Sequence, residues 1–321
     1  MANGNERVTF IDQLRGIAIF CVVAGHFIAF NTVLPYPHNI TIFTSMIGSF
    51  NMPLFFVISG FVSFGSYKNR KTRLCLQRKV QRLFIPYIMW SLLAIALRLL
   101  NGNNVRDTLF EVLICGWSVW YLLTLFICSL SAVFISKARE EKQATLHFLV
   151  WIFIILLPKT EENILALAQL EHFYPFFVLG YYLNKKQDAV KRIANRLKLN
   201  AVAICLVFFS GAAVIFEFIP IHCMDLFFTK ITNARVFANI LFSYIWALTG
   251  CLFGYVLAKR CLLGGGGILR HLMINSPALK NRYQRHLPKW EFTVLRYTLY
   301  TRFLFEILFL YRILSGRIRC S

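Results

Sequence analysis

The chain has 321 residues, 58% of them hydrophobic, and a mean hydropathy of +0.59. Soluble domains contain about 45–50% apolar residues, so this composition excludes an ordinary soluble domain. The formal net charge of +21 would favour a nucleic acid-binding protein if the chain were soluble. Here the basic residues cluster between apolar runs, as membrane topology requires, and we expect no nucleic acid partner.

The apolar runs have roughly the 17–25 residues that cross the hydrocarbon core of a bilayer as a helix. They are continuous rather than alternating, which favours helices over a β-barrel. The sequence therefore predicts an all-α polytopic membrane helical bundle with about eight spans through residue 257. The fifth run is short, and 147–168 is an alternative frame for it. The predicted spans are 12–32, 41–65, 84–100, 118–136, 144–157, 164–183, 199–219 and 235–257.

The connections between spans alternate between basic and nearly neutral. Seven, three and six Lys or Arg residues lie in segments 66–82, 136–142 and 184–198. The positive-inside rule places these segments and the N-terminus in the cytoplasm. The nearly neutral connections then lie outside, and they are 31–39, 101–111, 158–163 and 220–234.

The first predicted span contains two ionisable residues, Arg15 and His26. They are eleven residues apart, so both project from one face of a helix, about 16 Å apart along its axis. Asp12 precedes Arg15 by three residues and is placed to pair with it. An ionisable residue inside a membrane is a functional hypothesis by default, and an imidazole can exchange a proton near neutral pH. The structural alternative is that Arg15 reaches the headgroups and His26 hydrogen-bonds a neighbouring helix.

Five further residues attract attention by their position. Gly60, in "VISGF", is predicted to permit close helix contact. Trp120 and Tyr121 begin the fourth span, where an aromatic belt is expected and stacking on a sugar ring is the functional alternative. Glu171 and His172 enter the sixth span from its outer end, either in a solvated interface or in a binding site for an external acceptor. No Cys/His spacing indicates a metal site, and we predict none.

Five blocks of the sequence, in this order, resemble the acyltransferase-3 family of membrane O-acyltransferases. The first carries an Arg followed after ten residues by a His, which is typical of that family. The resemblance covers about residues 8–257. The blocks are "IDQLRGIAIFCVVAGHF" (11–27), "NMPLFFVISGFV" (51–62), "RKVQRLFIPYIMW" (78–90), "SVWYLLTLF" (118–126) and "HFYPFFVLGYYL" (172–183).

The resemblance implies a multi-pass enzyme of the bacterial inner membrane. Such an enzyme moves an acyl group, usually acetyl from cytoplasmic acetyl-CoA, to a hydroxyl of an envelope or lipid-linked glycan. Acetyl-CoA is then a substrate, and no bound cofactor is implied. His26 would be the general base, and Arg15 would bind a CoA phosphate or orient the thioester. Arg78 and Arg82 would meet CoA phosphates, although positive-inside topology also explains them.

Glycan binding falls, on this resemblance, to the outer residues Trp120, Tyr121, Glu171 and His172. A transporter or flippase for a lipid-linked glycan is the alternative function. Transporters of that kind show paired repeats with interrupted helices, and no such repeat is visible. A signalling or scaffold role is a third option, for which no sequence feature speaks.

The character of the sequence changes after residue 262. Segment 262–321 carries ten basic and two acidic residues, and its best apolar run, 293–315, contains three arginines. We therefore divide the chain into a transmembrane domain, 1–262, and a basic tail, 263–321. Family members usually have about ten spans, and nothing after Gly267 resembles the last of them. We hypothesise that the tail is read out of frame; a divergent amphipathic tail is the alternative.

Overall fold

The structure is a computed structural model that describes residues 4–31, 38–67, 71–116, 119–158, 163–188, 203–208, 210–211 and 234–263. Every regular element in these ranges is helical, which confirms the predicted all-α membrane fold. The basic tail and most of the seventh predicted span lie outside the described residues. The helices are α1 (Gly4–Asn31), α2 (His38–Tyr67), α3 (Thr72–Leu100), α4 (Val105–Leu109), α5 (Trp120–Ile135), α6 (Glu140–Leu156), α7 (Leu167–Lys185) and α8 (Ala234–Leu263).

Three described segments are long and apolar enough to cross a membrane by length and composition. They are Met46–Tyr67 within α2, Thr72–Leu100, which is α3, and Ile240–Ala258 within α8. Helix α5 is apolar but shorter. Exposed apolar side chains such as Phe134, Phe153 and Leu156 fit a surface that meets lipid rather than water.

The described residues form two compact units. The first unit contains α1, α2 up to Met52, the helical residues 203–208 and 210–211, and α8 from Phe242. The second unit contains α2 from Pro53, helices α3 to α7, and α8 up to Leu241.

Aromatic rings fill the core of the first unit. The ring of Phe208 stacks on Trp246 and on Phe253, with centroids 5.1 and 5.2 Å apart. Phe50 of α2 meets Phe208 edge-on at 5.5 Å, an arrangement that aromatic quadrupoles favour. Gly250 of α8 lies against the Phe50 and Phe208 side chains, so a larger residue there would displace the rings.

Helices α2 and α7 approach each other closely in the second unit. A Cβ at Gly60 would clash with the backbone carbonyl of Phe177, and a Cβ at Gly180 with that of Val57. The predicted close contact at Gly60 is confirmed, and Gly180 is its counterpart on α7. Small residues let helix backbones meet in this way inside membranes. Asn184 also donates a hydrogen bond to the carbonyl of Phe61 along the same contact.

Three helix boundaries differ from the sequence prediction. Helix α3 begins at Thr72, so most of the basic segment taken as a connection is helical. Helix α4 lies in the predicted connection 101–111, where the Asn104 side chain caps it by accepting a hydrogen bond from the Arg106 N–H. The alternative frame 147–168 is wrong. Leu157 has an extended backbone. It precedes Pro158, and the helical conformation is disfavoured for a residue that precedes proline.

Candidate active site

Helix α1 carries both members of the predicted Arg–His pair on one continuous helix. The carboxylate of Asp12 lies 3.5 Å from the Arg15 guanidinium, and the two side chains are 12% and 15% exposed. The predicted Asp12–Arg15 pair is therefore confirmed. Because α1 continues without interruption from Gly4 to Asn31, Arg15 and His26 project from the same side, about 16 Å apart along the axis.

His26 lies beside the buried stripe of α1 rather than within it. The buried stripe consists of Leu14, Ala18 and Cys21, with spacings of four and three that keep one helix face inward. Gly25 continues it, since a Cβ there would lie 3.9 Å from Ile47 of α2. His26 is rotated about 100° from Gly25 and is exposed. An exposed imidazole on a membrane helix can meet a substrate, which a packed one cannot.

Arg78 and Arg82 lie on α3, at the edge of its buried face, and both are half-buried. Arg82 falls in a π-helical turn, Val80–Phe84, which interrupts the α-helix just before Pro86. Turns of this kind occur often at functional sites because they redirect side chains. The ammonium group of Lys79 lies 5.7 Å from the centre of the Tyr67 ring. Arg78, Lys79 and Arg82 therefore form a basic segment of α3.

Trp120 and His172 both contact the ring of Phe173 in the second unit. The ring of Phe173, next to His172 in sequence, stacks on Trp120 with centroids 5.4 Å apart and an angle of 18°. Phe173 also stacks on Phe56 of α2 at 4.9 Å and 9°. His172 meets the same ring edge-on at 4.8 Å. Two of the predicted acceptor-binding residues, Trp120 on α5 and His172 on α7, therefore contact the Phe173 ring.

The remaining contacts of this region fix Glu171, His172 and Tyr121. The indole N–H of Trp151 donates a hydrogen bond of 2.9 Å to the backbone carbonyl of Glu171. His172 is 3% exposed and meets Phe176 edge-on at 5.7 Å, so its surroundings are packed rather than solvated. Tyr121 faces α2 instead, with its ring 6.5 Å from that of Phe55.

Sequence reasoning missed one ionisable residue, His147 of α6. It is 2% exposed, and its Nδ1 lies 2.8 Å from the Tyr174 hydroxyl of α7. The signal was present, since His147 lies three residues after the start of the predicted span 144–157 and is an ionisable group within that span. The uncertain frame of the fifth span obscured it.

The chain belongs to the acyltransferase-3 family, because the family model described as an acyltransferase domain matches residues 8–272. The match ends ten residues beyond the predicted domain boundary at 262. Proteins of this family are integral to membranes, in agreement with the apolar helices described above.

Two curated relatives are called nodulation protein NolL. The chain is 26% identical over 195 residues to the protein from Mesorhizobium japonicum, a match that covers 56% of this chain and 48% of that protein. It is 26% identical over 224 residues to the protein from Sinorhizobium fredii, covering 64% and 58% respectively. The chain thus spans about half the length of the curated relatives it matches. No solved structure gives a significant match.

Proposed function

We propose that this protein is a membrane O-acyltransferase. It moves an acyl group, acetyl in the first instance, from cytoplasmic acyl-CoA to a hydroxyl of an exported or envelope glycan. Its site of action is the inner membrane of a bacterium. Membership of the acyltransferase-3 family supports the reaction class, and the apolar helices support the membrane location.

The chemistry requires a base and a group that binds the donor. The glycan hydroxyl loses its proton to His26 and attacks the thioester carbonyl. The new C–O bond forms, the C–S bond breaks, and CoA leaves as a thiolate that takes up a proton. General base assistance of this kind contributes roughly 10²–10⁴-fold to rate. Arg15, oriented by Asp12, binds a CoA phosphate or the thioester oxygen.

One observation carries the proposal, namely that Arg15 and His26 share a face of α1 while His26 is exposed. The exposure leaves the imidazole accessible to a substrate, as the proposed chemical role requires. The ion pair with Asp12, three residues away on the same helix, orients the Arg15 guanidinium. The planar fork of N–H donors on that group suits the oxygens of a phosphate or a thioester.

The second unit supplies candidates for both substrates. Arg82 and Arg78 would bind the donor, since planar guanidinium groups suit pyrophosphate and 3'-phosphate oxygens. Trp120, Tyr121, Glu171 and His172 would bind the acceptor. Trp120 offers an aromatic surface for a sugar ring, and Phe173 holds that indole in place. Because His172 is buried against Phe173 and Phe176, it would support this site rather than touch the glycan.

The direct test is release of free thiol by the purified full-length protein supplied with radiolabelled acetyl-CoA and an envelope glycan fraction. We expect thiol release to match incorporation of label into glycan ester. His26→Ala should lower the rate roughly 10²–10⁴-fold. Phe27→Ala is the matched control, because Phe27 is the adjacent exposed residue and is 58% exposed. A flippase would release no thiol, and wild-type activity in His26→Ala would reject the assigned base.

A further inference from the structure

A buried turn precedes Trp120, the residue proposed to stack on the acceptor. A π-helical turn, Phe110–Ile114, follows α4, and the N–H of Cys115 donates a 3.1 Å hydrogen bond to the Phe110 carbonyl. Gly116 comes next with a φ of +67°, and its carbonyl accepts a 3.2 Å hydrogen bond from the Val119 N–H. We call Cys115, Gly116 and Val119, all of which are buried, the Gly116 turn.

The hydroxyl group of Tyr87 on α3 holds the end of the π-helical turn. It donates a 2.8 Å hydrogen bond to the Leu113 carbonyl and lies 3.3 Å from the Val112 carbonyl. The last carbonyls of a helix have no partner within it, and a buried carbonyl needs a donor from elsewhere. Tyr87 is 2% exposed and supplies that donor from 26 positions earlier in the chain.

Gly116 lies between the Tyr87 hydroxyl and the start of α5. A Cβ at Gly116 would lie 3.7 Å from the Tyr87 hydroxyl oxygen and 3.4 Å from the Trp120 Cα. The positive φ also favours glycine, because an L side chain is strained in that conformation. The Tyr87 hydroxyl, the Gly116 turn and the backbone of Trp120 are therefore in direct contact.

The position of Trp120 depends on the Gly116 turn on one side and on Phe173 on the other. Val119 is the N-cap residue of α5, and a valine side chain cannot accept the hydrogen bond that caps many helices. The indole stacks on the Phe173 ring at 5.4 Å, and Trp120 is only half-buried. A shift of the Gly116 turn would therefore move an aromatic surface that a ligand can reach.

We propose that Tyr87 is a positioning residue for recognition of the acceptor. Its hydroxyl holds the carbonyl end of the π-helical turn, the Gly116 turn continues from that point, and the Gly116 turn sets the place of Trp120. Stacking depends on the separation and angle of the two rings, so a small displacement of the indole weakens it. Tyr87 acts without touching either substrate. The inference rests on the proposed acyltransferase function and on the acceptor role of Trp120.

The test measures thiol release by full-length variants, with either acetyl-CoA or the glycan fraction varied while the other is fixed. Tyr87→Phe removes the hydroxyl and keeps the ring that packs against Phe84. We expect KM for the glycan to rise about threefold, because one hydrogen bond that orders the turn is lost, while kcat and KM for acetyl-CoA stay unchanged.

Tyr67→Phe is the matched control for the loss of a buried tyrosine hydroxyl. Tyr67 is also 2% exposed, and its hydroxyl has no hydrogen-bond partner among the described residues. The substitution should therefore leave kcat and both KM values unchanged.

A double-mutant cycle separates positioning of Trp120 from a general loss of structure. If Tyr87 acts through Trp120, Tyr87→Phe should not raise KM for the glycan further once Trp120→Leu is present. Gly116→Ala adds a Cβ beside the Trp120 Cα and should raise this KM more than Tyr87→Phe does, again only when Trp120 is present. Gly102→Ala is its control, since Gly102 has a φ of +82° but nothing within 4 Å of its Cβ position.

Each outcome supports the positioning role or overturns it. A wild-type KM for the glycan in Tyr87→Phe would overturn it, as would an equal rise in the Trp120→Leu background or a fall in kcat alone. If Tyr87→Phe does not reach the membrane, Gly116→Ala decides, and an effect equal to that of Gly102→Ala overturns the role. An active wild type with unaffected variants rejects only the positioning role, whereas a wild type that releases no thiol rejects the proposed function as well.

Discussion

His26 of the first unit and the two buried histidines of the second unit differ in their exposure. In the first unit, α1 buries a stripe of small and apolar side chains and leaves His26 exposed beside it. In the second unit, α2 and α7 approach backbone to backbone, and both His147 and His172 are buried. An exposed histidine can touch a substrate, whereas a buried one can act only through its neighbours. On the proposed function, direct chemistry would therefore fall to α1, and the second unit would supply support and substrate binding.

The largest effect is expected at Arg15 of the first unit. Arg15→Lys keeps the charge and the pairing with Asp12 but loses the planar fork of donors. Loss of one hydrogen bond to a charged group corresponds to about 1.5–3 kcal/mol, so kcat/KM for acetyl-CoA should fall roughly 10–100-fold. Steady-state thiol release measures it. Equal kcat/KM for acetyl-CoA in the wild type and in Arg15→Lys would mean that Arg15 contributes only a charge.

Substitution of Gly60 should destabilise the contact between α2 and α7 in the second unit. In Gly60→Ala the new Cβ meets the Phe177 carbonyl, and a backbone atom cannot move aside as a flexible side chain can. Overpacking costs about 1–3 kcal/mol, so we expect a marked loss of folded protein in detergent. Gly65→Ala on the same helix is the control, since nothing lies within 4 Å of its Cβ position. Thermal unfolding midpoints compare the two; equal midpoints would contradict the close contact.

A smaller effect is expected at Arg82, which tests whether the second unit binds the donor. Arg82→Gln should raise KM for acetyl-CoA about tenfold, while kcat changes little, because a charge-assisted contact to phosphate is lost. Arg73→Gln removes an exposed arginine from the same helix and should leave KM unchanged. If both substitutions raise KM equally, the basic end of α3 acts by general charge alone.

The smallest effect is expected at Trp120. Trp120→Leu removes the stacking surface but keeps an apolar side chain against Phe173, so KM for the glycan should rise about threefold to tenfold. KM for acetyl-CoA should stay constant. Titration of the glycan fraction at fixed acetyl-CoA measures the change. A rise in KM for the donor instead would place Trp120 at the other substrate.

Local sequence features predicted much of this arrangement. The apolar runs located α2, α5, α6 and α7 to within four residues at each end, since hydrocarbon thickness fixes the length of a span. Helix α1 begins eight residues before its predicted span, and α8 ends six residues after its own. The Asp12–Arg15 pair followed from helical spacing. Gly60 stood out because small residues mark close helix contacts.

Other features depend on contacts distant in sequence. Gly180 pairs with Gly60 across more than a hundred residues, and no local pattern marks it. The burial of His172 follows from the packing of α7, although its position at the end of a span resembled an interface. The helical start of α3 was hidden because its basic residues resemble a cytoplasmic connection. His147 was missed because the limits of its span were uncertain.

The proposed reaction transfers an acyl group to an envelope glycan and depends on His26. The most direct measurement is the ester-linked acyl content of envelope glycans from cells with the gene, without it, and with the His26→Ala allele alone. We predict that one ester signal is lost on deletion, restored by the wild-type gene and not restored by His26→Ala at equal membrane abundance. The same ester content in all three strains would contradict the claim.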